Sequence, residues 1–186
     1  MLRLPNFVFL FPLAFLIGGS HSHGIIDVTF QHVEQTVGYD LVRSGLRVTK
    51  FNRTCAIING TMDFFVDLDN RFTFQVKSAF SRLGNSQFNE YPFKIAENPY
   101  CWTLNNTFRE YQHLFEQTTN FPRAGGHWVC PVPAGQYWIK HFVFKPETLP
   151  QMIPEGYWHL TLLLIRKDGR QADLQVFMKV SKDTYW

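Results

Sequence analysis

The stretch TMDFFVDLDNRFTFQVKSAF, residues 61–80, decides the fold. Apolar and polar side chains alternate along both of its halves, Thr61–Leu68 and Arg71–Phe80. The apolar residues that share a face are Met62, Phe64, Val66 and Leu68 in the first half, and Phe72, Phe74, Val76 and Phe80 in the second. A period of two over this length is typical of β-strands with one buried face. We therefore predict a strand in each half.

Two turn signals accompany these strands. Asp69-Asn70 lies between them, and Asn59-Gly60, a strong hairpin signal, precedes the first. The sequence therefore predicts a three-strand antiparallel meander. Its strands are Leu46–Ile58, Thr61–Leu68 and Arg71–Phe80.

The C-terminal end of the chain repeats the pattern. Tyr157–Arg166 and Asp173–Lys182 alternate in the same way, and Asp168-Gly169 supplies the turn between them. Further strands are predicted at Ile25–Phe30 and Gly135–Phe144. Seven or so short strands joined by turns favour a β-sandwich, with an ordinary α+β domain as the alternative.

One segment departs from the β pattern. Between Asn98 and Gln117 the apolar residues fall at spacings of four, three and four, which is one face of an amphipathic helix. These residues are Leu104, Phe108, Tyr111 and Phe115. The prediction is thus a mainly β domain with one short inserted helix.

The N-terminus predicts export. Arg3 is followed by an apolar run over residues 7–17 and by small residues up to Ser22. This order is typical of a cleaved secretory signal, and the run is too short to span a bilayer. We predict a signal peptide at 1–22, a single domain at 23–186 and a secreted, extracellular protein.

Charge argues against several classes of partner. The formal net charge is +3, and basic and acidic residues are interspersed rather than clustered. Nucleic acids and anionic membranes require basic clusters, so neither is an expected partner. No stretch after the leader is long and apolar enough for a transmembrane segment, and the predicted domain is soluble.

Three N-glycosylation sequons are also consistent with a secreted protein. They begin at Asn52, Asn59 and Asn105, and we predict these as glycosylation sites, which requires that they reach the lumen and lie on the surface.

Three cysteines remain after the leader, namely Cys55, Cys101 and Cys130. In an oxidising compartment one disulfide is expected, with one thiol left over. Spacing alone leaves all three pairings open. For Cys55, a buried free thiol and an intermolecular bridge are both open.

Catalytic and metal-binding motifs are absent from the sequence. There is no Gly-x-Ser-x-Gly, no phosphate-binding glycine loop with a lysine and no His-Glu-x-x-His pair. The seven histidines are scattered, and His127, beside Trp128, has no evident partner. Asp63 and Asp67 share a predicted solvent face rather than forming an acid–base pair. We predict a protein that is not an enzyme and that needs neither metal nor cofactor.

The interior is unusually aromatic. Phe, Tyr and Trp make up 17% of the chain, with 19 phenylalanines. Such residues favour half-buried pleated surfaces. The alternation alone does not separate a filled core from two sheets that stand apart around a cavity.

Three motifs carry a resemblance to a known family. CPVPAGQYWI at 130–139 and LPQMIPEGYW at 149–158, followed by the strand–Asp-Gly–strand ending, resemble the ganglioside-activator branch of the ML lipid-recognition proteins. LRVTKFNRT at 46–54, with Asn59-Gly60 after it, is similar to the insect chemosensory proteins of the CheA/CheB type. The resemblance covers roughly Ile25 to Lys182.

The resemblance implies an immunoglobulin-like antiparallel β-sandwich that holds a lipid or other apolar molecule between its sheets. It implies a non-enzymatic carrier or presenter of a lipid or hydrophobic semiochemical in contact chemosensation, such as pheromone detection, with a chemosensory receptor as a further partner. It also implies that Cys101 and Cys130 form the disulfide.

Under this hypothesis, alternation parity selects the residues that line the apolar cleft. They are Phe72, Phe74, Val76, Leu160, Leu162, Leu164, Leu174, Val176 and Met178. A register error of one residue would replace them with the opposite face.

The alternative hypothesis is a secreted interaction module with a filled core that acts on a receptor through its surface. Phe65, Tyr157 and Phe177 would then be exposed recognition residues.

Overall fold

A computed structural model describes residues 25–53, 55–125, 128–146, 149 and 152–183. The predicted leader, residues 1–22, and His127 lie outside the described residues. Within the described ranges, no helix is long and apolar enough to cross a membrane.

The predicted strands assemble into two antiparallel sheets. The larger sheet has the order β1-β9-β8-β5-β6. Its strands are β1 (Ile25–Glu34), β5 (Phe72–Ser81), β6 (Asn89–Pro99), β8 (Gly156–Arg166) and β9 (Gln171–Asp183). The predicted C-terminal hairpin is present as β8 and β9, and Gly169 adopts a φ of +88° in its turn.

The smaller sheet is built around β4 (Ala56–Phe64). Two short strands, β2 (Val42–Ser44) and β3 (Arg47–Lys50), pair with successive parts of β4, and β7 (Gly135–Phe142) also pairs with it. The chain therefore uses one long central strand to organise this whole sheet.

The predicted meander is wrong. Asn59-Gly60 lies inside β4 rather than in a turn, and the register of β4 against β7 shifts there. The chain instead reverses direction between β3 and β4, where the Phe51 amide donates to the Cys55 carbonyl at 2.9 Å. Asp69-Asn70 is likewise no hairpin, because it leads the chain from the smaller sheet into the larger one.

Glycine is required at position 60 because another part of the backbone lies very close to it, and not because the chain turns there. Its φ is +138°, and a Cβ at this position would lie 2.3 Å from the carbonyl oxygen of Gly45. Glycine in a strand interior commonly marks a bulge or a close backbone approach, and here it marks both.

The strand β6 was not predicted from the sequence. It carries Pro92 and pairs only with β5, at the edge of the larger sheet. Proline is tolerated at such an edge because its missing N–H has no ladder partner to lose.

The predicted helix is present but irregular. Its four consecutive pieces, which we call the helical segment, are Tyr100–Thr103, Leu104–Phe108, Arg109–Tyr111 and Gln112–Phe115. The second piece is a π-helical turn and the last is a 3₁₀ turn. Such changes of helical pitch alter which side chains face inward.

The two sheets bury a shared core. At one end, Trp158 and Val180 of the larger sheet pack with Ile58 and Phe142 of the smaller one. At the other end, residues of both sheets pack with Leu104 of the helical segment. The predicted fold class, a mainly β immunoglobulin-like antiparallel sandwich with one short inserted helix, is therefore confirmed.

Candidate apolar ligand-binding cavity

The interior is hollow at the end of the sandwich that the helical segment covers. A cavity of about 260 Å³ lies there, partly open to the surface and lined almost entirely by apolar atoms. A buried cavity of about 150 Å³ is enough to bind benzene, and ligand pockets commonly begin at about 300 Å³. The space therefore suits a small apolar molecule or part of a longer one.

The larger sheet forms one wall of the cavity. Phe74 lies opposite Leu164 across β5 and β8, and Leu162 lies opposite Leu174 across β8 and β9. These four residues all line the cavity, and all four belong to the cleft predicted from alternation. Cross-strand pairing places these four residues on one face of the sheet. That they bind a ligand stays a prediction.

The other five predicted cleft residues do not line the cavity. Phe72 is fully buried in the cluster that also contains the cavity-lining residues Phe64 and Leu164. Val76 is buried as well. Leu160, Val176 and Met178 pack in or against the cluster that includes Trp158. The predicted face was too long because Trp158, 1% exposed, fills the interior at that end.

Sequence reasoning missed the opposite wall. Met62, Phe64, Tyr137 and Ile139 reach the cavity from β4 and β7 of the smaller sheet. Met62 and Phe64 belong to the alternating face of residues 61–68, so that pattern was the available signal.

The helical segment closes the remaining side. Leu104, Phe108 and Phe115 of its predicted apolar face line the cavity, whereas Tyr111 is exposed. The π-helical turn between residues 104 and 108 rotates the side chains that follow it around the helix axis. The regular α-helical spacing used in the sequence analysis does not include this rotation.

Aromatic rings pack against one another on the side of the cavity formed by the smaller sheet and the helical segment. The ring centroids of Phe64 and Tyr137 are 4.9 Å apart, those of Phe121 and Tyr137 are 5.3 Å apart, and those of Phe108 and Phe121 are 5.5 Å apart. Tilted and edge-to-face pairs at these distances are favourable beyond their buried area. The wall is therefore a connected aromatic surface.

Polar groups at the border of the cavity are mostly paired within the protein. Asp173 accepts hydrogen bonds from the backbone amides of Thr36 and Val37 at 2.7 and 2.9 Å and from the Gln175 side chain at 2.8 Å. Burial acts to raise the pKa of Asp173, but these bonds outweigh it and hold the pKa below its ordinary value. The carboxylate thus fixes the loop after β1 to β9.

The helical segment is tied to the body of the domain at its N-terminal end. Cys101 and Cys130 form a disulfide with a Cα–Cα distance of 5.6 Å. The side-chain amide of Asn105 donates to the carbonyls of Cys101 and Val129 at 2.8 and 3.1 Å. Cys55 is a free, half-buried thiol at the other end of the smaller sheet.

The three sequon asparagines lie in different settings. Asn52 is exposed in the turn after β3, whereas Asn59 is half-buried within β4 and donates to the Thr49 hydroxyl at 2.8 Å. Asn105 uses its amide to hold the helical segment, as described above. Glycosylation at all three stays a prediction.

The surface residues of the alternative hypothesis are only partly exposed. Phe65 is 47% exposed, and the guanidinium of Arg43 lies 5.2 Å from its ring centroid. Tyr157 and Phe177 are half-buried, and Phe177 stacks on His159 with ring centroids 4.3 Å apart. These three residues do not form one exposed cluster.

Within the part of the chain that the structure describes, no group of three His, Cys, Asp or Glu side chains is placed to hold a metal ion.

Comparisons with known proteins complete the description. No curated protein matches this sequence. The crystal structure of a Niemann-Pick type C2 protein from Japanese carpenter ant aligns with 82% of this chain and 91% of its own, at 10% identity and a TM-score of 0.29. Residues 71–160 match the family described as "Protein of unknown function (DUF1091)". This matched region, from β5 to the start of β8, is where the chain is similar to that family.

Proposed function

We propose that this protein is a secreted, non-enzymatic carrier of an apolar small molecule, which it holds in the cavity between its two sheets. The observation that carries the proposal is the cavity of about 260 Å³ with its nearly continuous apolar lining. A filled sandwich would offer no such space.

The free energy of such binding comes from moving the apolar ligand out of water and into the cavity. Each methylene group buried in the cavity contributes about 0.8 kcal/mol. Phe and Met side chains on the wall, such as Phe108 and Met62, adapt to ligands of different shape. This binding requires neither a metal nor a cofactor.

The sequence resemblance to lipid-recognition and insect chemosensory proteins supports a more specific role. On that basis the ligand is a lipid or a hydrophobic semiochemical, and the carrier presents it to a receptor in contact chemosensation. The signal-like N-terminus and the Cys101–Cys130 disulfide support an extracellular site of action.

A fluorescent hydrophobic dye tests the proposal. We expect the purified protein to take up the dye saturably, one molecule per chain, and fatty alcohols to displace it. The variant Leu162→Phe places a larger side chain in the cavity. If the ring displaces two or three methylene groups of ligand, affinity falls roughly 15- to 60-fold.

The matched control is Leu163→Phe, which makes the same change on the same strand. Leu163 lies on the opposite face of β8 and does not line the cavity. We expect this variant to bind as the parent does, and circular dichroism checks that both variants fold. Absence of saturable uptake at micromolar protein would reject the carrier and favour a module that acts on a receptor through its surface.

A further inference from the structure

The three sequon asparagines differ in how the folded chain uses their side chains. N-glycosylation transfers an oligosaccharide from a lipid-linked diphosphate to the asparagine nitrogen Nδ2. A bond forms between Nδ2 and the first sugar carbon, and the bond from that carbon to the diphosphate oxygen breaks. One Nδ2 proton is released, and the lipid diphosphate leaves. The modified nitrogen therefore keeps one hydrogen to donate and carries a bulky group that must lie at the surface.

Asn105 uses its whole amide group inside the fold. Its Nδ2 donates to the carbonyl oxygens of Cys101 and Val129 at 2.8 and 3.1 Å, and its Oδ1 accepts from the Val129 amide at 2.9 Å. The residue is half-buried. An amide nitrogen has two hydrogens to donate, so a sugar on Nδ2 would replace one of these two donors. The described fold and a glycan at Asn105 therefore exclude each other.

Asn59 is fixed between two strands. Its Nδ2 donates to the Thr49 hydroxyl of β3 at 2.8 Å, and its Oδ1 accepts from the His141 amide of β7 at 2.7 Å. The second bond lies where the register of β4 against β7 shifts. Asn59 is half-buried, and a glycan on Nδ2 would have to turn the amide away from the strands on both sides.

Asn52 lies in a more open setting. It is exposed where the chain reverses direction between β3 and β4. Its Oδ1 accepts from the Cys55 amide at 2.7 Å, so this bond uses the oxygen and not the nitrogen that receives the sugar. The preceding residue, Phe51, is 65% exposed. A glycan on Asn52 would therefore extend from an exposed turn rather than displace a strand.

We propose that the folded, exported protein carries an N-linked glycan at Asn52 alone, and that Asn59 and Asn105 are structural asparagines whose sequons stay unmodified. This inference rests on the proposed export of the chain and is independent of what the cavity binds. The transfer acts on the chain before it has folded, so a chain modified at Asn105 or Asn59 does not complete the fold and is not exported.

The position of Asn52 also keeps the glycan away from the cavity. The strand β4 begins just after this turn and reaches the cavity only at its other end, with Met62 and Phe64. The glycan therefore stands at the end of the sandwich away from the hollow and leaves the cavity uncovered.

Mass spectrometry of the full chain, produced with its own leader in eukaryotic cells and purified from the medium, tests the inference. Peptide N-glycosidase converts each glycosylated asparagine to aspartate, so peptide mapping assigns the occupied positions. An untreated sample corrects for spontaneous deamidation. We expect conversion at Asn52 and not at Asn59 or Asn105. Thr54→Val, which destroys the first sequon, should remove all of the mass that the enzyme releases.

The third sequon offers a matched pair of variants. Asn105→Gln and Thr107→Val both destroy it, but only Asn105→Gln removes the hydrogen bonds to Cys101 and Val129. We expect Asn105→Gln to lower the thermal midpoint by about 4 to 8 °C. Thr107→Val should keep the midpoint and the mass of the glycan close to those of the parent.

Each outcome bears on the inference. A glycan at Asn59 or Asn105 in the secreted protein, or no glycan at Asn52, would overturn it and leave the carrier function standing. Equal thermal midpoints for Asn105→Gln and Thr107→Val would show that Asn105 has no structural role, and would also overturn it. If the chain stays inside the cells without a glycan, the proposed export fails as well. Dye uptake by the purified protein tests the carrier function separately.

Discussion

Asp173 shows how one buried carboxylate organises the border of the cavity. The side chain is 7% exposed and accepts hydrogen bonds from two backbone amides and from the side chains of Thr36 and Gln175. The alternation of β9 places Asp173 on the outer face, where the sequence predicts contact with solvent. The structure covers it because the loop after β1 folds over the edge of the sheet, which strand periodicity cannot reveal.

We predict that Asp173→Asn lowers the free energy of unfolding at pH 7 by about 2 kcal/mol, because hydrogen bonds to a charged acceptor are lost. The pKa of Asp173 is depressed in the folded state, so the unfolded chain binds the proton first as the pH falls. The contribution of the carboxylate is therefore complete at neutral pH and is lost below about pH 4.

Urea denaturation at pH 7 and at pH 3 measures both effects. Between pH 7 and pH 3, the free energy of unfolding should fall less in Asp173→Asn than in the parent protein. Asp27→Asn, an exposed carboxylate on β1, serves as the control and should behave like the parent. An equal loss in the Asp173→Asn variant and in the parent would contradict the assignment.

At the scale of the element, β4 determines the smaller sheet. Its neighbouring strands pair along both of its edges. The side-chain amide of Asn59 donates to the Thr49 hydroxyl at 2.8 Å, and its side-chain oxygen accepts from the His141 backbone amide at 2.7 Å. Asn-Gly is a strong local hairpin signal, but pairing on both edges overrides it here. By contrast, the β8–β9 hairpin was predictable because alternation, turn chemistry and pairing all agree.

We predict that Gly60→Ala destabilises the protein by about 2 to 3 kcal/mol, because the new Cβ meets the Gly45 carbonyl and the backbone has a positive φ. A shift of the urea midpoint measures the effect. Gly125→Ala is the matched control, since nothing lies within 4 Å of a Cβ there. If the two variants unfolded at the same urea concentration, the close approach in β4 would not be a constraint on stability.

The cavity itself is a property of the whole molecule. Four of its wall residues were predictable, because alternation gives the inward face of each strand. The position of the hollow was not, because it depends on Trp158 filling one end and on the helical segment standing over the other. Both are tertiary arrangements, and no local pattern distinguishes them from uniform packing.

We predict that a bound ligand stabilises the whole domain. At a free ligand concentration of 100 times Kd, linkage adds about 2.7 kcal/mol to the free energy of unfolding. For a domain of this size, that raises the melting temperature by about 5 to 10 °C. Differential scanning fluorimetry with 1-decanol measures the shift. At the same ligand concentration, the 15- to 60-fold weaker affinity of Leu162→Phe should reduce it to about 1 to 5 °C. A shift of the same size in that variant would place the binding site elsewhere.

The Cys101–Cys130 bond anchors the segment that stands over the hollow, and neither sheet depends on it for its own strand pairing. Such bonds form in oxidising compartments and are kept reduced in the cytosol. In a reducing compartment the strands would therefore still pair, and the helical segment would be held only by noncovalent contacts such as those between Asn105 and Val129. If the protein is the proposed carrier, its affinity for an apolar guest should therefore be lower under reducing than under oxidising conditions.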